Sequence, residues 1–257
     1  MNVLRSAIMA LSCFSKVPMP QVEWHERNMR FMICFFPLVG VIIGLLLAAW
    51  AWLSNLLGFG SVLFGAGLAL IPLAVTGGIH LDGFCDVVDA QSSHAEPQRK
   101  REILKDPHAG AFAIIAASAY LIAYTAFGSE LQPTWHVVLL LGGMHVASRC
   151  MSGIATKAFP LNASQGMLSM EHGRGIDRTS VAIIAATLLV VAVFMIWVDM
   201  VAGGVMICVG LVCLALLLPF ANTQFGGMSG DLAGFFLQVA ELGMIIALVL
   251  VLKIVGL

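Results

Sequence analysis

Apolar residues fall along the chain in seven long blocks, at 31–53, 59–79, 110–127, about 137–155, 181–198, about 201–221 and 235–255. Each is close to the roughly 20 apolar residues that cross a bilayer as a helix. The pattern predicts an all-α fold: a polytopic integral membrane helix bundle of about seven transmembrane helices, forming one transmembrane domain over 1–257. Polar stretches at 90–107, 157–179 and 222–231 separate the blocks, and a tight turn at Asp199 divides the fifth from the sixth. At the N-terminus, Arg5 precedes a short apolar patch that Lys16 and Pro18 break off. No A-x-A-like cleavage site follows, so this is read as a retained amphipathic segment on the membrane surface.

Composition agrees with the pattern. Only 11% of residues are charged, against about 25% in soluble domains. The distribution of Lys and Arg sets the expected orientation. With the N-terminus cytoplasmic, the segments 1–30, 80–109, 157–180 and 222–234 face the cytoplasm and hold 11 of the 13 basic residues, leaving Arg149 inside a block and Lys253 near the last end. The opposite loops carry only Glu130 and Asp199. This positive-inside bias puts every polar motif on the cytoplasmic face. A net charge of -1 without a basic tail argues against nucleic acid as a partner. The six cysteines show no C-x-x-C spacing and are read as reduced and structural.

The candidate chemistry starts at Gly77-Gly78-Ile79-His80-Leu81-Asp82-Gly83-Phe84-Cys85-Asp86-Val87-Val88-Asp89. In a helix, Asp82, Asp86 and Asp89 share one narrow face. Each carboxylate at membrane depth costs about 2.5–3.5 kcal/mol, and a hard divalent cation is the simplest remedy for three together. Gly83 beside them admits a bulky ligand or another backbone. Lys105-Asp106-Pro107-His108-Ala109-Gly110 opens the third block, where Asp106 either caps a helix or joins the acids and Lys105 suits phosphate. Gly226-Gly227-Met228-Ser229-Gly230-Asp231 either turns the chain or gathers backbone N–H groups on an anion, and Asp231 either adds a carboxylate or caps the last helix. Arg149 needs a buried partner, an Asp of the cluster or a substrate phosphate. Glu241, inside the last block, needs a polar neighbour. His80 and His108 are weaker candidates. There is no G-x-x-x-x-G-K-[ST] loop, so ATP hydrolysis is disfavoured. Acids, glycine turns and basic groups at a membrane surface suit Mg²⁺-dependent phosphoryl or phosphodiester transfer.

These motifs resemble the adenosylcobinamide-GDP ribazoletransferases, also called cobalamin-5′-phosphate synthases. The resemblance rests on Gly77 to Ala90 with its spaced aspartates, Lys105-Asp106-Pro107-x-x-Gly110, Ser148-Arg149, Gly226-Gly227-x-Ser229-Gly230-Asp231 and Phe14-Ser15-Lys16-Val17-Pro18, in order along nearly the whole chain. His108 stands where that family often has Arg, Ser229 where Thr is usual, and Ser15-Lys16 for the common Thr-Arg. The resemblance implies attack of the 5′-hydroxyl of α-ribazole, or of its 5′-phosphate, on adenosylcobinamide-GDP, with release of GMP and Mg²⁺ as cofactor. With that reaction in view, the residues' own chemistry makes Asp82, Asp86, Asp106 and Asp231 the expected metal ligands and Asp89 the expected general base. Lys105, Arg149, His80, Gly83, Ser229 and Gly230 would bind substrate in an open cytoplasmic cavity. Membrane lipid is the expected surrounding, and pairing into a homo-oligomer is left open. A CDP-alcohol phosphotransferase of phospholipid synthesis shares Asp-Gly followed by spaced acids. It wants Ala-Arg soon after that pair and another acid before it, where this chain has Cys85-Asp86-Val87 and Ile79-His80. A cation or corrinoid transporter would instead carry acids at the midplane of symmetric halves.

Overall fold

Lipid offers no hydrogen bonds to a chain, so a spanning segment must satisfy its backbone internally, and helices do this. The computed structural model describes residues 3–23, 29–161 and 177–255. Among these, the apolar blocks are helical. In chain order the helices are α1 (Val3–Phe14), a 3₁₀ turn (Met32–Phe35), α2 (Pro37–Leu57), α3 (Ser61–Thr76), α4 (Ile79–Ser92), α5 (Pro97–Ile103), α6 (Ala111–Ser129), α7 (Trp135–Ala158), α8 (Arg178–Val198), α9 (Met200–Phe225) and α10 (Gly230–Val255). Six are long and apolar enough to cross a membrane: α2 with its 3₁₀ turn, α6, α7, α8, α9 and α10. A seventh span arises only if α3 and α4 are taken together, and these are bent by 96° at their junction.

That bend corrects the expected second span. The block 59–79 does not deliver the chain straight into the aspartate motif. α3 stops at Thr76, and Gly77 and Gly78 both take left-handed backbone, with φ of 64° and 82°. Two such residues in succession turn the chain cheaply only as glycine. The loop expected at 222–231 is also shorter. α9 runs on to Phe225 and α10 begins at Gly230. Of the expected polar loop 157–180, residues 162–176 lie outside the described residues.

α7 forms the centre, with most of its length buried. It is flanked by α2, α8, α9 and α10, while α4 lies against α10 and α6. Alternation of the long helices gives the bundle two distinct ends. At one, Asn55 Nδ2 donates to the Pro133 carbonyl at 2.6 Å, His136 meets Asp199 at 3.3 Å and Lys253 meets Glu130 at 2.7 Å. At the other lie α1, α4, α5 and the start of α10. There Met228 N–H donates to the Pro160 carbonyl at 2.7 Å, and Arg30 grips Asp177 through two hydrogen bonds of 2.9 Å. The hydrogen bonds from Arg30 hold the Asp177 carboxyl well below its ordinary range, and Asp177 caps α8 through Ser180 N–H.

Candidate active site

α4 carries the aspartates on one face and its packing residues on the other. His80, Gly83, Val87 and Ala90 are buried in the bundle, while Asp82 is exposed and Asp86 and Asp89 are half-buried. The 3.6-residue period produces this division. Gly83 is where α4 meets α10: a Cβ there would lie 2.8 Å from the Asp231 Cα. One turn along, a Cβ on Gly234 would lie 2.9 Å from the His80 carbonyl oxygen. The backbone that Gly83 admits is therefore that of α10.

This crossing brings Asp231 to the α4 carboxylates. Ser229, expected at the substrate, caps α10 by accepting from Leu232 N–H at 3.2 Å. Gly230 beside it is exposed with open space around it. Asp231 then sits in the first turn of α10, where the helix dipole favours negative charge. The cluster's electrostatics are most visible at Asp86. Partial burial, then the charges of Asp82, Asp231 and Asp89, push its carboxyl up to about 6. Among the described residues no three His, Cys, Asp or Glu side chains stand close enough together to hold a metal ion by themselves. The cluster is a set of neighbouring oxygen donors, without a closed ligand shell.

Asp89 is engaged differently from a free base. One carboxylate oxygen accepts from Gly110 N–H and the other from Ala113 N–H, the latter at 3.1 Å. It therefore caps α6 from a helix 21 residues earlier in the chain, while each oxygen keeps a further lone pair. Asp106 is likewise apart from the cluster. Its carboxylate accepts from His108 N–H at 3.0 Å and faces His108 Nδ1 at 2.8 Å. Those hydrogen bonds hold its carboxyl below the ordinary value, and none of the α4 aspartates contributes. In this arrangement it shapes an exposed turn and stands apart from the α4 carboxylates. Lys105 is exposed in the same turn. The neighbouring cations are structural. Lys100 Nζ donates to Gln91 at 2.9 Å and Gln224 at 2.6 Å, and Arg101 donates to the Phe225 carbonyl at 3.2 Å, strapping α5 to the end of α9.

Arg149 and His80 are brought to each other but not to the aspartates. The Arg149 guanidinium pairs with Glu241, and also reaches the His145 carbonyl at 3.1 Å and Ser148 Oγ at 2.9 Å. Ser148 Oγ donates to Glu241 at 2.7 Å, and His145 Nδ1 lies 3.2 Å from the second Glu241 oxygen. The protein partner of Arg149 is thus Glu241 and not an aspartate of the cluster, and Glu241 meets its own need through the same contact. His80 faces a small internal cavity shared with Arg149, Gln238 and Glu241.

Sequence reasoning missed one residue at the site. Lys16 lines an open cleft of about 610 Å³ together with Asp82, Cys85 and the Gly77-Gly78 turn. Its signal was present in the Phe14-Ser15-Lys16-Val17-Pro18 motif, to which no role was attached.

The cobalamin-5-phosphate synthase family model matches residues 6–249. An adenosylcobinamide-GDP ribazoletransferase of Lachnoclostridium phytofermentans is 37% identical over 242 residues, covering 94% of this chain and 92% of the relative. Enzymes of the same name from Clostridium botulinum (strain Alaska E43) and Geobacillus kaustophilus are 31% and 29% identical, covering 94% and 91% of this chain and 95% and 91% of their own lengths. No solved structure matches. A match over almost the whole length, carried by relatives of the same size, leaves one assignment: the chain belongs to the cobalamin-5-phosphate synthase family of membrane transferases.

Proposed function

We propose that this protein joins α-ribazole, or its 5′-phosphate, to adenosylcobinamide-GDP, forming adenosylcobalamin or its 5′-phosphate and releasing GMP. The observation that carries this reading is the crossing of α10 over Gly83, which sets Asp231 beside the helix of Asp82 and Asp86, with Asp82 lining an open cleft. The names of the relatives supply the substrates. In the reaction the acceptor 5′-hydroxyl forms a bond to the cobinamide-proximal phosphorus. The bond from that phosphorus to the GMP oxygen breaks, and the hydroxyl proton leaves to a carboxylate.

Asp82 and Asp231 would hold Mg²⁺. Their donors are all oxygen, which suits a hard cation, and Mg²⁺ at phosphate sites typically takes one or two carboxylates plus substrate oxygens and water. That habit accommodates a cluster with no three-residue shell of its own. When bound, the ion supplies charge neutralisation at the diphosphate. Asp86 takes the acceptor proton, since a carboxyl raised toward the working pH is the better-matched base. Asp89 holds the start of α6 against α4. Lys and Arg in the described polar stretches concentrate at the α4 end of the bundle, which by the positive-inside rule faces the cytoplasm of the inner membrane.

The test uses purified protein, adenosylcobinamide-GDP, α-ribazole and Mg²⁺, with GMP release followed. Turnover that stops on chelation and returns with Mg²⁺ supports the reading. Absence of GMP release with either acceptor form overturns it.

A further inference from the structure

The cleft beside the aspartates has a second wall, built by the segment that leaves α1. Ser15 Oγ donates to the Leu11 carbonyl at 2.6 Å and accepts from Val17 N–H at 3.3 Å, ending α1 and fixing the turn. Lys16 N–H then donates to the Val75 carbonyl at 2.7 Å, pinning the main chain to the last turn of α3. The side chain lies along the Gly77 turn. A Cβ at position 77 would fall 2.3 Å from Lys16 Cε and 2.5 Å from its Cγ. The stem is therefore laid in a groove that only glycine leaves open, while the residue as a whole is exposed.

The ammonium at the end of that stem has no carboxylate within ion-pair distance among the described residues. It shares the cleft with Asp82 without pairing to it. An ordinary surface lysine wanders and costs little. This one has its main chain tied and its stem seated, and it projects a cation at the mouth of an acidic cluster.

Resting on the function proposed above, we infer that Lys16 binds the diphosphate of the GDP-activated substrate, opposite the aspartates. Two negatively charged partners, the carboxylates and a diphosphate, must approach one another in this cleft. On the α4 side Asp82 and Asp231 would hold a metal ion that offsets part of this charge, and on the α1 side the Lys16 ammonium offsets more. Lysine contacts phosphate as a point charge with three donors. The contact is made to the ground-state diphosphate as much as to the transition state, so its loss appears mainly in KM.

Lys16→Met tests this, because it keeps the stem on Gly77 and removes only the charge. Lys16→Arg restores a cation. Full-length protein in detergent is titrated with Mg²⁺ and GDP by calorimetry, and KM and kcat are measured for adenosylcobinamide-GDP. The expected result for Lys16→Met is a loss of about tenfold in Mg–GDP affinity and a matching rise in KM. Its kcat stays within about threefold and its thermal midpoint is unchanged, and Lys16→Arg recovers most of the affinity. If the wild type turns over and Lys16→Met matches it in Mg–GDP affinity and KM, the inference fails and the proposed function stands. A fall in thermal midpoint shared by both variants, with equal loss of affinity, also overturns it by making Lys16 a purely structural residue. A wild type that neither binds Mg–GDP nor releases GMP overturns both.

Discussion

Gly83 and Asp231 touch backbone to backbone: the space where a side chain at 83 would begin is filled by the Asp231 Cα, 2.8 Å from an ideal Cβ. Since both atoms belong to helix backbones, neither yields as a flexible side chain would. The contact sets how far Asp231 stands from Asp82 and Asp86. Gly83→Ala is therefore expected to push α10 from α4 and lower stability by about 1–3 kcal/mol. A misplacement of about 1 Å at reacting groups costs on the order of 10²-fold in rate, so GMP release should fall much further than the thermal midpoint alone explains. A Gly83→Ala protein with wild-type turnover would show that Asp231 does not need this spacing.

Asp89 separates two roles that its sequence spacing runs together. As a cap on α6, its loss costs about 0.5–2 kcal/mol and frees the Gly110 and Ala113 amides. Asp89→Asn keeps one acceptor oxygen and turns an NH₂ toward a backbone donor. We expect a modest fall in thermal midpoint, faster hydrogen exchange at the start of α6, and a smaller loss of kcat than Asp86→Asn causes. Abolished transfer with exchange protection intact would return Asp89 to the role of base.

The Arg149–Glu241 pair joins α7 to α10 in the middle of the bundle, with both residues nearly inaccessible. Removing one charge strands the other, which costs about 3–5 kcal/mol for a buried pair. Glu241→Leu should therefore impair folding in the membrane, measured as the fraction of protein recovered monodisperse in detergent. The double variant Arg149→Met, Glu241→Leu leaves no stranded charge and should recover much of that yield. If the pair is structural, the double variant also retains transfer; if Arg149 grips phosphate, recovery of fold comes without recovery of activity.

Much of this architecture was readable from the sequence because the bilayer leaves one backbone solution. Apolar blocks the length of a membrane become helices, and their number followed almost directly. The break at Gly77-Gly78 was not, since the apolar run continues through Ile79 and hydropathy registers no boundary. The signal lay in the glycine pair, whose left-handed backbone ends one helix and starts the next. At the site, the spacing of Asp82 and Asp86 was legible because it is local to one helix. The partners of Asp89 and Arg149 were not, because Gly110 lies 21 residues away and Glu241 lies 92. The turn that Asp106 makes with His108 was not legible either, because a search for clustered acids overlooks a carboxylate that hydrogen-bonds its own backbone two residues on.

Asp86 carries a pH signature that distinguishes it from its neighbours. α4 lies outside the six membrane-length helices, and partial burial, then the neighbouring carboxylates, lift the Asp86 carboxyl from 3.8 to about 6. A folded-state value above the unfolded one means that the folded protein holds the proton longer. That contribution to stability is fully present below about pH 4 and is lost as pH rises through about 6. Asp86→Asn removes the titration. Without divalent ions, the stability gained by this variant over the wild type should therefore be larger at pH 7.5 than at pH 5, and saturating Mg²⁺ should shrink the difference. Catalysis moves the opposite way, because a base must be deprotonated to act. Wild-type kcat/KM should fall as pH drops through about 6, while Asp86→Asn should lose about 10²–10⁴-fold in rate together with that acid limb. Thermal midpoints and GMP release measured across pH 5 to 8 read both effects in one series. An acid limb that persists unchanged in Asp86→Asn would assign the proton to another group.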